Sequence, residues 1–120
     1  MYILDESTPN SLSLLAVYGT LKKGYGNHRL IEDCKFVKEY KLKNIQLYNL
    51  GFYPGAKIEE TKIPAMAEVY EIPPERWESL DWLEGVPYHY RRYKSKNGIY
   101  IYILNRQISE ERKIIINKWG

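Results

Sequence analysis

Two stretches of this sequence hold residues that can do chemistry. The first is Leu80-Asp81-Trp82-Leu83-Glu84-Gly85, where two carboxylates stand three residues apart. On a helix that spacing puts them on adjoining surface. Glu84 falls in the last turn before a glycine stop, where the negative end of the helix dipole disfavours its ionised form. Flanking Trp82, Leu83 and Val86 would withdraw it further from water. Both effects raise a carboxyl pKa, which suits a group that must accept a proton and return it. An ordinary exposed acidic face fits the same residues. The second stretch is Val17-Tyr18-Gly19-Thr20-Leu21, an apolar run that ends in a glycine turn. Glycine lets the backbone approach a ligand closely, and successive N–H groups in such a turn can hold a carboxylate or an oxyanion. A plain strand-to-turn junction reads the same way.

Other chemistries find little support. The run from Gly19 to Gly24 is not followed by the Lys-Ser/Thr of a phosphate-binding loop, and no Gly-x-Gly-x-x-Gly stands in its place. His28 and His89 are the only histidines and neither has neighbours at metal-ligand spacing. His28 is assigned to the shape of its loop and His89 to a strand. Cys34 is the single cysteine, so neither an internal disulfide nor an all-cysteine metal site can form. It reads as a buried structural thiol. The net charge is +3, but the basic residues are scattered and interrupted by acidic ones, so nucleic acid is not expected as a partner. Met1 to Ser13 contains Asp5, Glu6 and Pro9 and does not read as a signal peptide. No apolar stretch approaches the roughly 20 residues that span a bilayer. No membrane association is expected, and the expected location is the cytoplasm.

The elements that must position these residues fit one domain over residues 1–120, a common single-domain length. Twelve tyrosines beside two phenylalanines tilt the chain towards strands and polar-lined cavities, because tyrosine buries its ring while its hydroxyl finds a partner. Residues 1–11 are expected as a flexible leader. Leu12 to Tyr18 reads as a buried strand and Asn27 as the cap of a short helix. Cys34 to Leu50 reads as one long strand or two broken ones, and Ala65 to Ile72 as another. The clearest helix starts at Pro73-Pro74, carries Trp77, Leu80 and Leu83 on one face, and stops at Gly85. Strands around 88–95 and 99–104 are joined by Asn97-Gly98, the strongest hairpin signal present. The tail from Glu110 to Trp119 fits a last helix or a strand through Ile114-Ile115-Ile116. This is an α+β pattern of largely antiparallel strands.

The same residues carry a family resemblance. Val17-Tyr18-Gly19-Thr20-Leu21-Lys22-Lys23-Gly24, followed by Asn27-His28-Arg29-Leu30, resembles the N-terminal signature of the γ-glutamylcyclotransferase-like superfamily. The γ-glutamylamine cyclotransferase branch is the nearest match. Tyr53-Pro54-Gly55-Ala56, Ala67-Glu68-Val69-Tyr70, Leu80 to Gly85, and Tyr90-Arg91-Arg92 resemble its later motifs in order, with Ala67 where the family has glycine. The resemblance covers roughly residues 13–104. It implies a small mixed, largely antiparallel β-barrel with flanking helices. It also implies an enzyme acting on a small γ-glutamyl molecule, whose α-amine attacks its own γ-carbonyl to give 5-oxoproline and release an amine or amino acid. Glu84 would be the catalytic acid/base, with Tyr18, Gly19, Thr20, Leu21 and Tyr90 binding substrate. No metal, nucleotide or prosthetic group is implied. The leaving group is left open, with Gly51–Lys57 and Tyr88–Arg92 as the candidate pocket walls. Lys22, Lys23 and Arg91 read as solvated rather than as partners for an acidic leaving group. A small-molecule binder without turnover, or an interaction module using surface tyrosines, remains open beside the enzyme.

Overall fold

Alternation of side chains explains the central layer of the protein. In a computed structural model describing residues 1–120, Ile99–Leu104 forms a strand whose six residues are all buried. Its isoleucines join one hydrophobic cluster while Tyr100, Tyr102 and Leu104 join another, so the strand is covered on both faces. With strands numbered in chain order, this is β8. The others are β1 (Tyr2–Leu4), β2 (Ser13–Val17), β3 (Phe36–Leu42), β4 (Ile45–Asn49), β5 (Pro54–Ile58), β6 (Ala65–Ile72), β7 (Tyr90–Ser95) and β9 (Ile115–Ile116). The single α-helix, α1, spans Trp77–Leu83.

Six strands form one sheet in the order β1-β7-β8-β2-β6-β3, and β5-β4-β9 form a second. Pairing is antiparallel except between β2 and β8, where Leu14 faces Ile99 and Leu15 faces Tyr100. Trp77 and Leu80 of α1 pack in the cluster on the tyrosine side of β8. Leu47 of β4 and Ala56 of β5 pack in the cluster on its isoleucine side. The α+β class and the largely antiparallel mixed pairing match the expectation, but both sheets are open and no barrel closes.

Other departures have local causes. Part of the expected flexible leader is β1, paired with β7. Beyond β1, the Asp5 N–H donates to the Arg92 carbonyl at 3.0 Å and Glu6 takes two 2.8 Å bonds from the Arg91 guanidinium. Arg91 is thus committed to an ion pair. The helix predicted from Pro73-Pro74 opens with a 3₁₀ turn, Pro74–Arg76, before α1. Asn27 caps nothing; it lies inside a 3₁₀ turn, Gly26–Leu30. The tail takes both readings in part, a 3₁₀ turn at Glu110–Arg112 and then β9 against β4. No helix is long and apolar enough to cross a membrane.

Candidate active site

The exit of β2 is shaped by what surrounds it. Tyr18 turns its ring into the core and donates its hydroxyl to the Tyr102 carbonyl at 2.6 Å. Gly19 follows, and a Cβ there would lie 2.7 and 2.8 Å from Cγ and Cδ of Pro54. Only a residue without a side chain lets the turn pass this close to β5. The Lys22 N–H closes the turn on the Gly19 carbonyl at 3.0 Å. Asn27 supports it from the next loop, its amide donating to Thr20 Oγ1 at 2.9 Å and its backbone N–H to the Thr20 carbonyl at 3.1 Å. His28 Nδ1 lies 2.8 Å from the Leu21 carbonyl oxygen, the loop-shaping place expected of it. Beyond the strand, the N–H groups of Gly19, Thr20 and Leu21 donate to no other part of the chain. Lys22 is only 5% exposed, contrary to its reading as a solvated lysine, because its amine donates to the Trp119 carbonyl.

The second wall comes from α1. Trp77 and Leu80 bury one helix face and so aim the last turn at the sheet. Glu84 is the cap residue at the helix end, its N–H on the Leu80 carbonyl at 3.0 Å. Burial, and secondarily the charge of Asp81, push its carboxyl up to about 7. Trp82 takes no part in that burial, for it is 83% exposed. At this position the helical period points outward, and the pocket walls withdraw Glu84 from water instead. Asp81 itself accepts two 3.1 Å bonds from the Arg92 guanidinium and one of 2.6 Å from the Tyr102 hydroxyl.

These walls enclose a cavity of about 400 Å³. Glu84, Tyr18, Gly19, Thr20, Leu21 and Tyr90 all line it, so the candidate acid/base and the candidate substrate-binding residues meet there, while Asp81 does not line it. Tyr90 donates its hydroxyl to the Pro54 carbonyl at 2.7 Å, and burial followed by the Glu84 charge raises its pKa. Phe52, Tyr53 and His89 stand exposed at the mouth. Asn27 and Tyr102 escaped the sequence reading as pocket residues, whereas His89 falls within the expected Tyr88–Arg92 wall. Tyr102 was legible in the Ile-Tyr-Ile-Tyr alternation of β8, which puts every second side chain on the face that α1 covers. The strand expected for His89 is not found: it sits in a bend before β7.

The gamma-glutamyl cyclotransferase, AIG2-like family model matches residues 15–120, a span that includes both walls of the cavity. The chain belongs to this family. A Vibrio cholerae protein carrying a provisional gamma-glutamylcyclotransferase name is 38% identical over 80 residues, covering 66% of this chain and 68% of that one. The gamma-glutamylcyclotransferase family protein YtfP of Escherichia coli is 28% identical over 106 residues, covering 86% and 92%. Among solved structures, an uncharacterised Pyrococcus horikoshii protein superposes with a TM-score of 0.70 at 28% identity, covering 88% of this chain and 86% of its own. An AIG2-like protein from mouse superposes with a TM-score of 0.76 at 20% identity over 92% and 90%, a likeness of fold. Family membership gives the chain a gamma-glutamylcyclotransferase-like function on a small molecule.

Proposed function

We propose that this family member is a γ-glutamylamine cyclotransferase with Glu84 as its acid/base. The reaction joins the α-nitrogen of a γ-glutamyl compound to its own γ-carbon and breaks the bond from that carbon to the leaving nitrogen. The products are 5-oxoproline and a free amine. No water enters, and the atoms of substrate and products balance. Because both reacting groups belong to one molecule, the enzyme's work is to hold a folded conformer and to move one proton. Glu84 takes that proton from the attacking nitrogen and delivers it to the leaving one. A carboxyl that titrates near 7 is populated in both forms at neutral pH, as a group serving in both directions requires.

The free N–H groups of Gly19, Thr20 and Leu21 would bind the glutamyl part and stabilise charge growing on the γ-oxygen. Tyr90 would bound the pocket beside Glu84. The observation that carries this reading is one cavity lined both by a carboxyl of raised pKa and by a turn with unengaged main-chain donors. The reading includes a cytoplasmic location, where a lone thiol such as Cys34 stays reduced.

The test is 5-oxoproline release from γ-glutamyl compounds. Glu84→Gln keeps the shape of the side chain and removes its proton chemistry, so turnover should fall by about 10²-fold or more. Turnover surviving in that variant would sink the role of Glu84. A ligand bound and returned unchanged by the unaltered protein would turn the site into a binding pocket.

A further inference from the structure

Arg92 occupies a place that disfavours a charged side chain. Its side chain is 0% exposed, with its guanidinium carbon 4.7 Å from the centroid of the Trp77 ring and 5.0 Å from that of Tyr100. Nε and Nη2 donate to the two oxygens of Asp81, while Nη1 is buried without a partner. The Asp81 side chain is 23% exposed, but the arginine is wholly withdrawn from water. Burying a charge for an ion pair seldom stabilises a fold better than an apolar side chain would, and an unpartnered buried donor destabilises it further. What the arrangement does achieve is a fixed place for Asp81. The leader adds to it, since the backbone of Arg92 is held on one side by the Asp5 N–H and on the other by the Glu6 carboxylate.

Asp81 stands one helical turn before Glu84, and its own carbonyl accepts the Val86 N–H at 3.0 Å just past the helix end. Its carboxylate also takes the Tyr102 hydroxyl, and the Tyr102 carbonyl takes the hydroxyl of Tyr18. A continuous line of bonds therefore runs from buried Arg92 on β7, through Asp81 on α1 and Tyr102 on β8, to Tyr18 beside the Gly19 turn. This line joins the two walls of the cavity: Tyr18 and Tyr102 line it, while Asp81 and Arg92 stand behind them.

We propose that Asp81 is a positioning residue for Glu84, anchored by Arg92 and Tyr102 so that one fixed charge and one fixed helix end face the reacting carboxyl. The proposal rests on the reading of Glu84 as the proton carrier. Around Glu84 the other ionisable groups are Tyr18 from β2, Tyr90 from β7 and Tyr102 from β8, with Tyr53 and His89 lining the same cavity. Asp81 is the group whose charge bears on the Glu84 carboxyl, reinforcing the effect of burial. Its anchoring makes that effect constant. A carboxylate free to swing into water would be screened and would set no fixed proton affinity.

The experiment is a pH titration of the glutamate side-chain carboxyl carbons by NMR in the full-length protein. The Glu84 resonance is assigned as the one absent from Glu84→Gln. In the unaltered protein its midpoint should lie near 7. Asp81→Asn keeps the shape and removes the charge, and should lower that midpoint by roughly half a pH unit or more. Asp81→Asn leaves a lone buried guanidinium, so the double variant Asp81→Asn/Arg92→Gln, with neither charge, is titrated beside it. The same fall is expected there. An unchanged midpoint in the folded variants would reduce Asp81 and Arg92 to a structural ion pair and overturn the proposal. On turnover, the acid limb of kcat/KM should move with the NMR midpoint. An unaltered protein that releases no 5-oxoproline would remove the proposed activity while leaving the titration to decide the role of Asp81.

Discussion

Glu84 is held where its charged form is disfavoured, and that has a consequence for stability as well as for chemistry. Its folded-state pKa of about 7 is raised above the ordinary carboxyl value of 4.5. Below 4.5 both folded and unfolded chains carry the proton and no penalty arises. As pH climbs to 7 the unfolded chain ionises first, so stability drains away across that window and then levels off. Glu84→Gln should therefore melt at a higher temperature than the unaltered protein at pH 8, by about 1–3 kcal/mol in stability, and the gap should close towards pH 4.5. Thermal denaturation of both proteins at the two pH values checks this. An acidic residue before a glycine stop was readable as a carboxyl at the wrong end of a helix. Which side chains would share its cavity was only partly readable, because Trp82 points outward and Tyr18 and Tyr102 reach the cavity from strands remote in sequence.

At the scale of elements, the turn after β2 and the start of β5 are fitted to each other. Gly19 has no room for a methyl group against the ring of Pro54, and the Pro54 carbonyl in turn holds Tyr90. Gly19→Ala must push the turn or β5 aside, which should cost about 1–3 kcal/mol in stability. Turnover should fall further than that loss explains, because the displaced N–H groups belong to the cavity wall; denaturant unfolding and 5-oxoproline release, measured together, separate the two. The strands β6 and β8 and the hairpin between β7 and β8 were legible because a two-residue alternation or an Asn-Gly pair is local information. The pairing of β1 with β7 was not, because its three residues carry too little pattern, and the ion pairs just beyond it, Glu6 with Arg91 and Asp5 with Lys94, join residues far apart in sequence.

At the scale of the whole molecule, the cavity opens through Phe52, Tyr53 and His89, and no lysine or arginine side chain lines it. Phe52 is 95% exposed and has apolar surface to offer a leaving group. γ-Glutamyl compounds of uncharged or apolar amines should therefore turn over with higher kcat/KM than those of acidic amino acids, by about tenfold for each methylene that the pocket mouth shields from water. A substrate panel ranked by 5-oxoproline release checks this. The sequence by itself determined the strand and helix periods, the glycine that a tight turn needs, and an acid at a helix end. Those depend on neighbours a few residues away. That the acid and the turn face one cavity was decided by the tertiary structure alone. It required β8 to lie parallel beside β2, α1 to cover the tyrosine face of β8, and Arg92 to hold Asp81 beneath it. Such pairings join different elements, from 11 positions apart for Arg92 and Asp81 to opposite ends of the chain for β2 and β8, and no local spacing encodes them.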